Sequence, residues 1–235
     1  MSKSQSKSRS QLQLVWDLPL RLFHWGFVTT ILGCWLTNEL GTDYIDLHMQ
    51  LGFVALGLIC FRLTWGFFGT LHSRFTTFFP TPAAIKAYLN QPKDAAPSVG
   101  HNPLGSLMVF AMLALVLMQA VSGLFVDDDV FSSGPYYNAL GGDIDKIMAT
   151  IHHNVFDFIL AAIALHILAV GFYQWGKKHD LIAPMIHGKK QGAHLTDLNT
   201  IKHSRLIVAL IIAASSAAFV YWLVVINIPE VDMYY

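Results

Sequence analysis

Apolar residues gather into five long runs along this chain, separated by polar connections. Crossing about 30 Å of hydrocarbon takes roughly 20 helical residues, and each run has about that length. The runs fall at about 18–38, 48–69, 103–126, 150–174 and 204–228. The third (Leu104 to Val126) and the fifth (Leu206 to Ile228) are the clearest. The first is the weakest, because Arg21 and His24 interrupt its start and its wholly apolar part is short. Between the second and third runs, Phe78 to Asn90 predicts a short interfacial helix. Pro82 suits its start, and Ile85, Tyr88 and Leu89 share a face. Pro135 to Ala149 predicts another such element on the opposite side. Trp16, Trp25, Trp35, Trp65, Trp175 and the terminal tyrosines stand near the predicted interfaces, as in an aromatic belt.

The polar connections give the runs a direction. The N-terminal stretch carries Lys3, Lys7, Arg9 and Arg21, whereas the first loop has Glu39, Asp43 and Asp46 and no Lys or Arg. The second loop has Arg74, Lys86 and Lys93. The third has Asp127, Asp128, Asp129, Asp143 and Asp145 against Lys146 alone. The fourth has Lys177, Lys178, Lys189, Lys190 and Lys202, and the C-terminal tail has Glu230 and Asp232 without a base. Basic residues thus mark alternate sides. The positive-inside rule puts the N-terminus in the cytoplasm and the C-terminus on the outer side of the membrane. Agreement across six segments favours five spans over four or six.

Composition agrees with this picture. The 235 residues are 54% hydrophobic and only 13% charged, with formal net charge zero, and mean hydropathy is +0.48. A soluble domain carries more charge, and a nucleic-acid binder carries a basic excess. Cys34 and Cys60 lie inside apolar runs and form no disulfide framework, CxxC knuckle or CxxCH haem-attachment motif. Residues 1–14 are Ser/Lys/Arg-rich and read as a disordered cytoplasmic tail rather than a secretory signal. Residues 15–190 read as one membrane domain. Residues 191–235 supply a cytoplasmic loop, the fifth span and a short outer tail.

Four histidines stand out within the runs: His24, His48, His152 and His166. His152 and His166 are 14 residues apart on one predicted helix. At about 100° per residue their directions differ by only about 40°, and they are separated by about 21 Å along the axis. Two stacked haems would need that arrangement from one helix. With the topology above, His24 and His166 lie near the cytoplasmic edge, and His48 and His152 near the outer edge. The natural axial pairs are therefore His24 with His166 and His48 with His152, each sandwiching one iron between helices of a bundle. Two imidazoles per iron give a low-spin centre for electron transfer. His153 competes with His152, but it is rotated by about 140° from the His166 direction. It fits better as a neighbouring or outer-surface group. The HxxxH, HxxHH and carboxylate-rich clusters of di-iron or zinc enzymes are absent from the sequence.

Other residues fit the haem reading. Arg62 is 14 residues after His48, so it shares that face at inner-haem depth, and Arg21 is one turn before His24. Both suit haem propionates, although snorkelling to the interface explains them equally well. Gly52, one turn below His48, suits close approach of a flat macrocycle. Helix–helix packing accounts for most of the other span glycines (Gly26, Gly33, Gly57, Gly105, Gly123). Asp157 is a carboxylate inside a span, which fits proton exchange at an outer quinone site or a neutral hydrogen-bonded role. His101 fits an inner quinone or propionate, or an interfacial helix start.

Several runs of residues resemble the bacterial cytochrome b561 family, which includes the b-type cytochrome subunits of nickel–iron hydrogenases. They are VWDLPLRLFHW (Val15 to Trp25), HMQLG around His48, RLTWGFFG (Arg62 to Gly69) and GHNPLG (Gly100 to Gly105). GLF before the acidic residues (Gly123 to Asp129), IHH…LH in the fourth run and LIAPMIHGKK (Leu181 to Lys190) match as well. The resemblance covers about residues 15–190 and implies a fold class: an all-α integral membrane protein with a four-helix, two-haem bundle. The fifth span is then an additional C-terminal helix, suited to docking or assembly. The resemblance carries over the same four ligands, His24, His48, His152 and His166. It implies two haem b groups and electron transfer between the quinone pool and a redox partner. That partner is expected to be a periplasmic c-type cytochrome, which the acidic outer loops would favour. Alternatives are a membrane anchor subunit of a hydrogenase or dehydrogenase, and a stand-alone superoxide:quinone oxidoreductase.

Overall fold

The computed structural model describes residues 12–92, 95–128, 132–191, 195 and 200–230. The expected tail at 1–11, Asp129 and the last five residues with their tyrosines lie outside the described residues.

Among the described residues seven α-helices follow one another: α1 (Leu18–Glu39), α2 (Ile45–Phe68), α3 (Pro82–Leu89), α4 (Pro103–Ser122), α5 (Gly142–Gly171), α6 (Ile182–His187) and α7 (Leu206–Tyr221). Among the described residues, four helical stretches are long and apolar enough to cross a membrane: Thr42–Phe68, Pro103–Phe125, Gly142–Gly176 and Leu206–Ile226. They make this an all-helical, multi-pass membrane protein. The 22 residues of α1 span about 33 Å, but Arg21, His24, the threonines and Glu39 keep it below the apolarity of the other four. The weakest expected span is thus a full-length helix of intermediate polarity.

Local chemistry explains the helix starts. Pro stands in the first turn of α1, α3 and α4, each capped by a side-chain oxygen: Asp17 bonding Leu20 N, Thr81 bonding Ala84 N and Asn102 bonding Gly105 N. α3 falls inside the segment expected to be interfacial. The second expected interfacial element does not exist as such. Gly141, at φ 93°, turns the chain directly into α5, which runs unbroken from Gly142. Nothing between Gly142 and Gly171 breaks the helix. Asp143 and Asp145 also favour its N-terminal dipole end.

α1 packs along α2, and α4 along α5; α2 also meets α4 and α7. α1 and α5 are not closely packed on one another. Buried Ile59, Trp65, Phe75, Leu113, Val116, Val155 and Ile159 form the main core with Val15, Trp16 and Phe23. α7 covers α2 through Val220 against Leu56. Its other face is apolar and open, with Ile207 and Leu210 at least 70% exposed, as lipid contact requires. One feature breaks the all-helical pattern. Gln13–Leu14 (β1) pairs antiparallel with Lys189–Lys190 (β2), tying the chain start to the fourth loop.

Candidate functional site

All four predicted histidines come together, in the two pairs expected. The rings of His24 on α1 and His166 on α5 have centroids 6.5 Å apart. The rings of His48 on α2 and His152 on α5 are 6.4 Å apart. An imidazole nitrogen sits about 2 Å from a bound metal, so two imidazoles ligating one metal from opposite sides have centroids about 6.2 Å apart. Both spacings fit a single iron between the rings. No group of three or more His, Cys, Asp or Glu that could hold a bare metal ion exists among the described residues.

The outer pair is held by its neighbours. His48 Nδ1 lies 2.9 Å from the Cys34 carbonyl oxygen and 3.3 Å from Thr37 Oγ1. His152 Nδ1 lies 3.0 Å from the Gln119 carbonyl oxygen and 3.3 Å from Ser122 Oγ. A carbonyl only accepts, so each Nδ1 carries the proton and each Nε2 keeps its lone pair for a metal. Gly123 makes room for this: a Cβ there would lie 2.8 Å from His152 Cε1. His153, by contrast, is exposed, with its ring 6.2 Å from that of His152.

The inner pair is different. His24 Nδ1 is buried and has no hydrogen-bond partner among the described residues. The ring is steadied instead by the edge of Trp25, with centroids 5.0 Å apart.

A family model described as prokaryotic cytochrome b561 matches residues 15–188. The chain belongs to the prokaryotic cytochrome b561 family. It is 25% identical, over a 221-residue alignment covering 78% of this chain and 91% of the relative, to a probable Ni/Fe-hydrogenase B-type cytochrome subunit of Azotobacter chroococcum mcd 1. A protein of the same name from Rhizobium leguminosarum bv. viciae is 24% identical over 212 residues, covering 75% of this chain and 87% of the relative. A third, from Azotobacter vinelandii, is 25% identical over 221 residues, with coverage of 78% and 91%. No solved structure matches the chain.

The other predicted site residues of this b561-family chain are placed as follows. Gly52 faces open space: a Cβ there would meet nothing within 4 Å. Arg62 is 2% exposed. It donates to the Ser73 carbonyl oxygen at 3.2 Å and lies 4.7 Å from the centroid of the Phe75 ring. Arg21 donates through one terminal nitrogen to the Ile186 carbonyl oxygen, while its Nε is buried without a partner among the described residues. His101 stands between Trp16 and Phe78, at centroid distances of 4.8 and 4.5 Å, and its Nδ1 is buried without a partner among the described residues. Burial, and then the nearby charges of Arg62 and Lys190, push His101 down to about 3. Lys190 donates to the Val99 carbonyl oxygen at 2.8 Å, and burial pushes it down to about 8. Asp157 is exposed on α5. It is rotated by about 140° from His152 and about 180° from His166, so the fold does not bring it to the outer histidines.

Asp17 went unrecognised in the sequence as a site-building residue. It is fully buried. Its Oδ1 caps α1, and its Oδ2 accepts from Thr70 Oγ1 and Ser73 Oγ, each at 2.5 Å. It therefore ties the helix bearing His24 to the loop whose Ser73 holds Arg62. Asp17 before Leu18 and Pro19 is a legible N-cap signal, but its long-range partners are not. The hydrogen-bond acceptors Cys34 O and Gln119 O were equally invisible, because any residue offers a carbonyl.

Proposed function

We propose that this chain is a two-haem b-type electron-transfer subunit, passing electrons across the bacterial cytoplasmic membrane between the quinone pool and a redox partner. The observation that carries this reading is the pair of histidine couples spaced 6.5 and 6.4 Å apart. Within α5 their ligands are separated by about 21 Å of helix. His24 and His166 would hold the inner haem, and His48 and His152 the outer. Haem held by these residues would supply one-electron redox chemistry. Gly52 leaves clearance beside the outer site. Arg62 and Arg21 stand at the inner end, where they suit propionates, and α1 then acts as a fifth span beside the four more apolar helices. The loop charges support a cytoplasmic N-terminus and a periplasmic C-terminus.

His101 suits the quinone. It offers a buried ring nitrogen, without a partner among the described residues, between two aromatic rings at the inner end. The partner is best read as a hydrogenase- or dehydrogenase-type subunit, since the relatives bear hydrogenase cytochrome names. The acidic outer loop, with Asp127, Asp128 and Asp143, favours a basic periplasmic partner such as a c-type cytochrome as the second reading.

The test is a reduced-minus-oxidised spectrum and pyridine haemochrome of the detergent-purified chain, followed by quinol addition. Two low-spin b haems per chain that are reduced by quinol are expected. A chain without haem overturns the whole reading, and a haem-loaded chain inert to quinol overturns the quinone assignment. Co-purification with an enzyme subunit, lost when α7 is deleted, separates the anchor role from the c-type cytochrome role.

A further inference from the structure

We propose that the outward face of α5 is a self-association surface, on which two copies of this chain pack α5 against α5 about a two-fold axis along the membrane normal. The reason lies in a row of residues facing away from the histidine pairs. Ile147, Thr150, Asn154, Asp157, Ala161 and Ala164 follow one another at spacings of 3, 4, 3, 4 and 3, and every one is exposed. That is the heptad seam by which two helices interlock at a shallow crossing angle. In a membrane, small residues at such a seam let backbones approach, and polar ones hydrogen-bond across it.

Asp157 makes lipid an unsuitable neighbour for this seam. It lies about 7.5 Å inward of His152 and about 13.5 Å outward of His166 along the helix, well inside the hydrocarbon. It has no hydrogen-bond or ion-pair partner among the described residues. Carboxylates at such a depth face protein or water rather than acyl chains. The outward face of α7 shows the contrast, offering large apolar side chains such as Ile207, Leu210 and Ile211 and no carboxylate.

A second copy supplies what Asp157 lacks. In a parallel two-fold pair, the layer one turn above the partner's carboxyl presents Asn154 and His153. Asn154 spends one N–H on the Thr150 carbonyl oxygen, at 2.7 Å, and keeps its other N–H and its Oδ1. His153 is exposed beside the seam. Each copy thus offers donors to the other's Asp157 at matching depth, while Ala161 and Ala164 close the inner part of the contact. The polar row is complementary to itself, as an isologous interface requires.

The test uses the full chain in native membranes, with Cys34 and Cys60 both replaced by Ala. Ala161→Cys should give a disulfide-linked dimer under mild oxidation, and Phe158→Cys, which flanks the seam about 60° round the helix from Ala161, should give about fivefold less. Adding Asp157→Leu to Ala161→Cys should lower the dimer yield by about the same factor, and Asp157→Asn should preserve it. Equal yields at positions 158 and 161, no dimer, or cross-links only to a polypeptide of different mass would overturn the proposal. If Asp157→Leu fails to accumulate, the contrast between positions 161 and 158 decides by itself.

Discussion

The outer and inner histidine pairs have nearly the same spacing but are built differently. At the outer pair, both Nδ1 atoms meet backbone carbonyls, at 2.9 and 3.0 Å, so the helices themselves select the tautomer and hold the rings. At the inner pair, His24 Nδ1 has no partner among the described residues and leans on Trp25. Around the inner pair the polar work is done further out, by Asp17, Thr70, Ser73 and Arg62. The outer site is thus preorganised by its first neighbours, whereas the inner site depends on the packing of loops over the helix ends. Preorganised ligands lose less entropy on binding a metal or cofactor.

The largest test of this contrast is to remove ligands. His24→Ala or His166→Ala should halve the haem content measured by pyridine haemochrome. His48→Ala or His152→Ala should remove the other half, with a distinct spectrum left behind. Full retention of both haems in the inner variants would break the pairing of His24 with His166. Next comes the space around the outer site. Gly123→Val should displace the His152 ring, because even a Cβ would lie 2.8 Å from it. It should deplete the outer haem several-fold relative to the inner one. Gly52→Leu should leave the fold intact, since its Cβ meets nothing within 4 Å. It should still lower outer haem loading if that space belongs to the macrocycle.

The inner end should show itself in pH dependence. Burial holds His101 at about 3 in the folded chain, against about 6.5 when unfolded. Between these values the unfolded chain binds the proton and the folded chain does not. Stability should therefore be full above about pH 6.5 and fall as pH drops towards 3. Thermal midpoints between pH 7 and 4 should follow this slope, and His101→Phe should flatten it. The smallest effect is expected from Ser122→Ala. Its hydroxyl is 3.3 Å from His152 Nδ1, but the Gln119 carbonyl oxygen at 3.0 Å remains. A loss of at most about 1 kcal/mol in thermal stability, with haem stoichiometry unchanged, is the expected outcome. A lost outer haem would show that the backbone carbonyl alone does not hold the ring.

Much of the site could be read from the chain. Spacing along α5 put His152 and His166 on one face and turned His153 away, because helical periodicity is local and needs no partner. The expected depths also paired His24 with His166 and His48 with His152. The carbonyls of Cys34 and Gln119, the buried Asp17 cluster and the β1–β2 pairing were not legible. Backbone acceptors are the same at every residue, and these contacts join segments far apart in sequence. The supposed interfacial helix at Pro135 to Ala149 failed for the opposite reason: nothing in Gly142 to Ala149 stops α5 from simply continuing outward.

The apolar runs, their alternating loop charges and the faces on which the histidines stand are legible along the chain alone. All of these follow from composition and a 100° helical step. Packing of the helices set which side chains face one another. It set the ring-to-ring distances and placed Gly123 beneath His152. Those outcomes depend on how α1, α2, α4 and α5 pack, and packing is set by the fit of whole surfaces rather than by any one residue's preference.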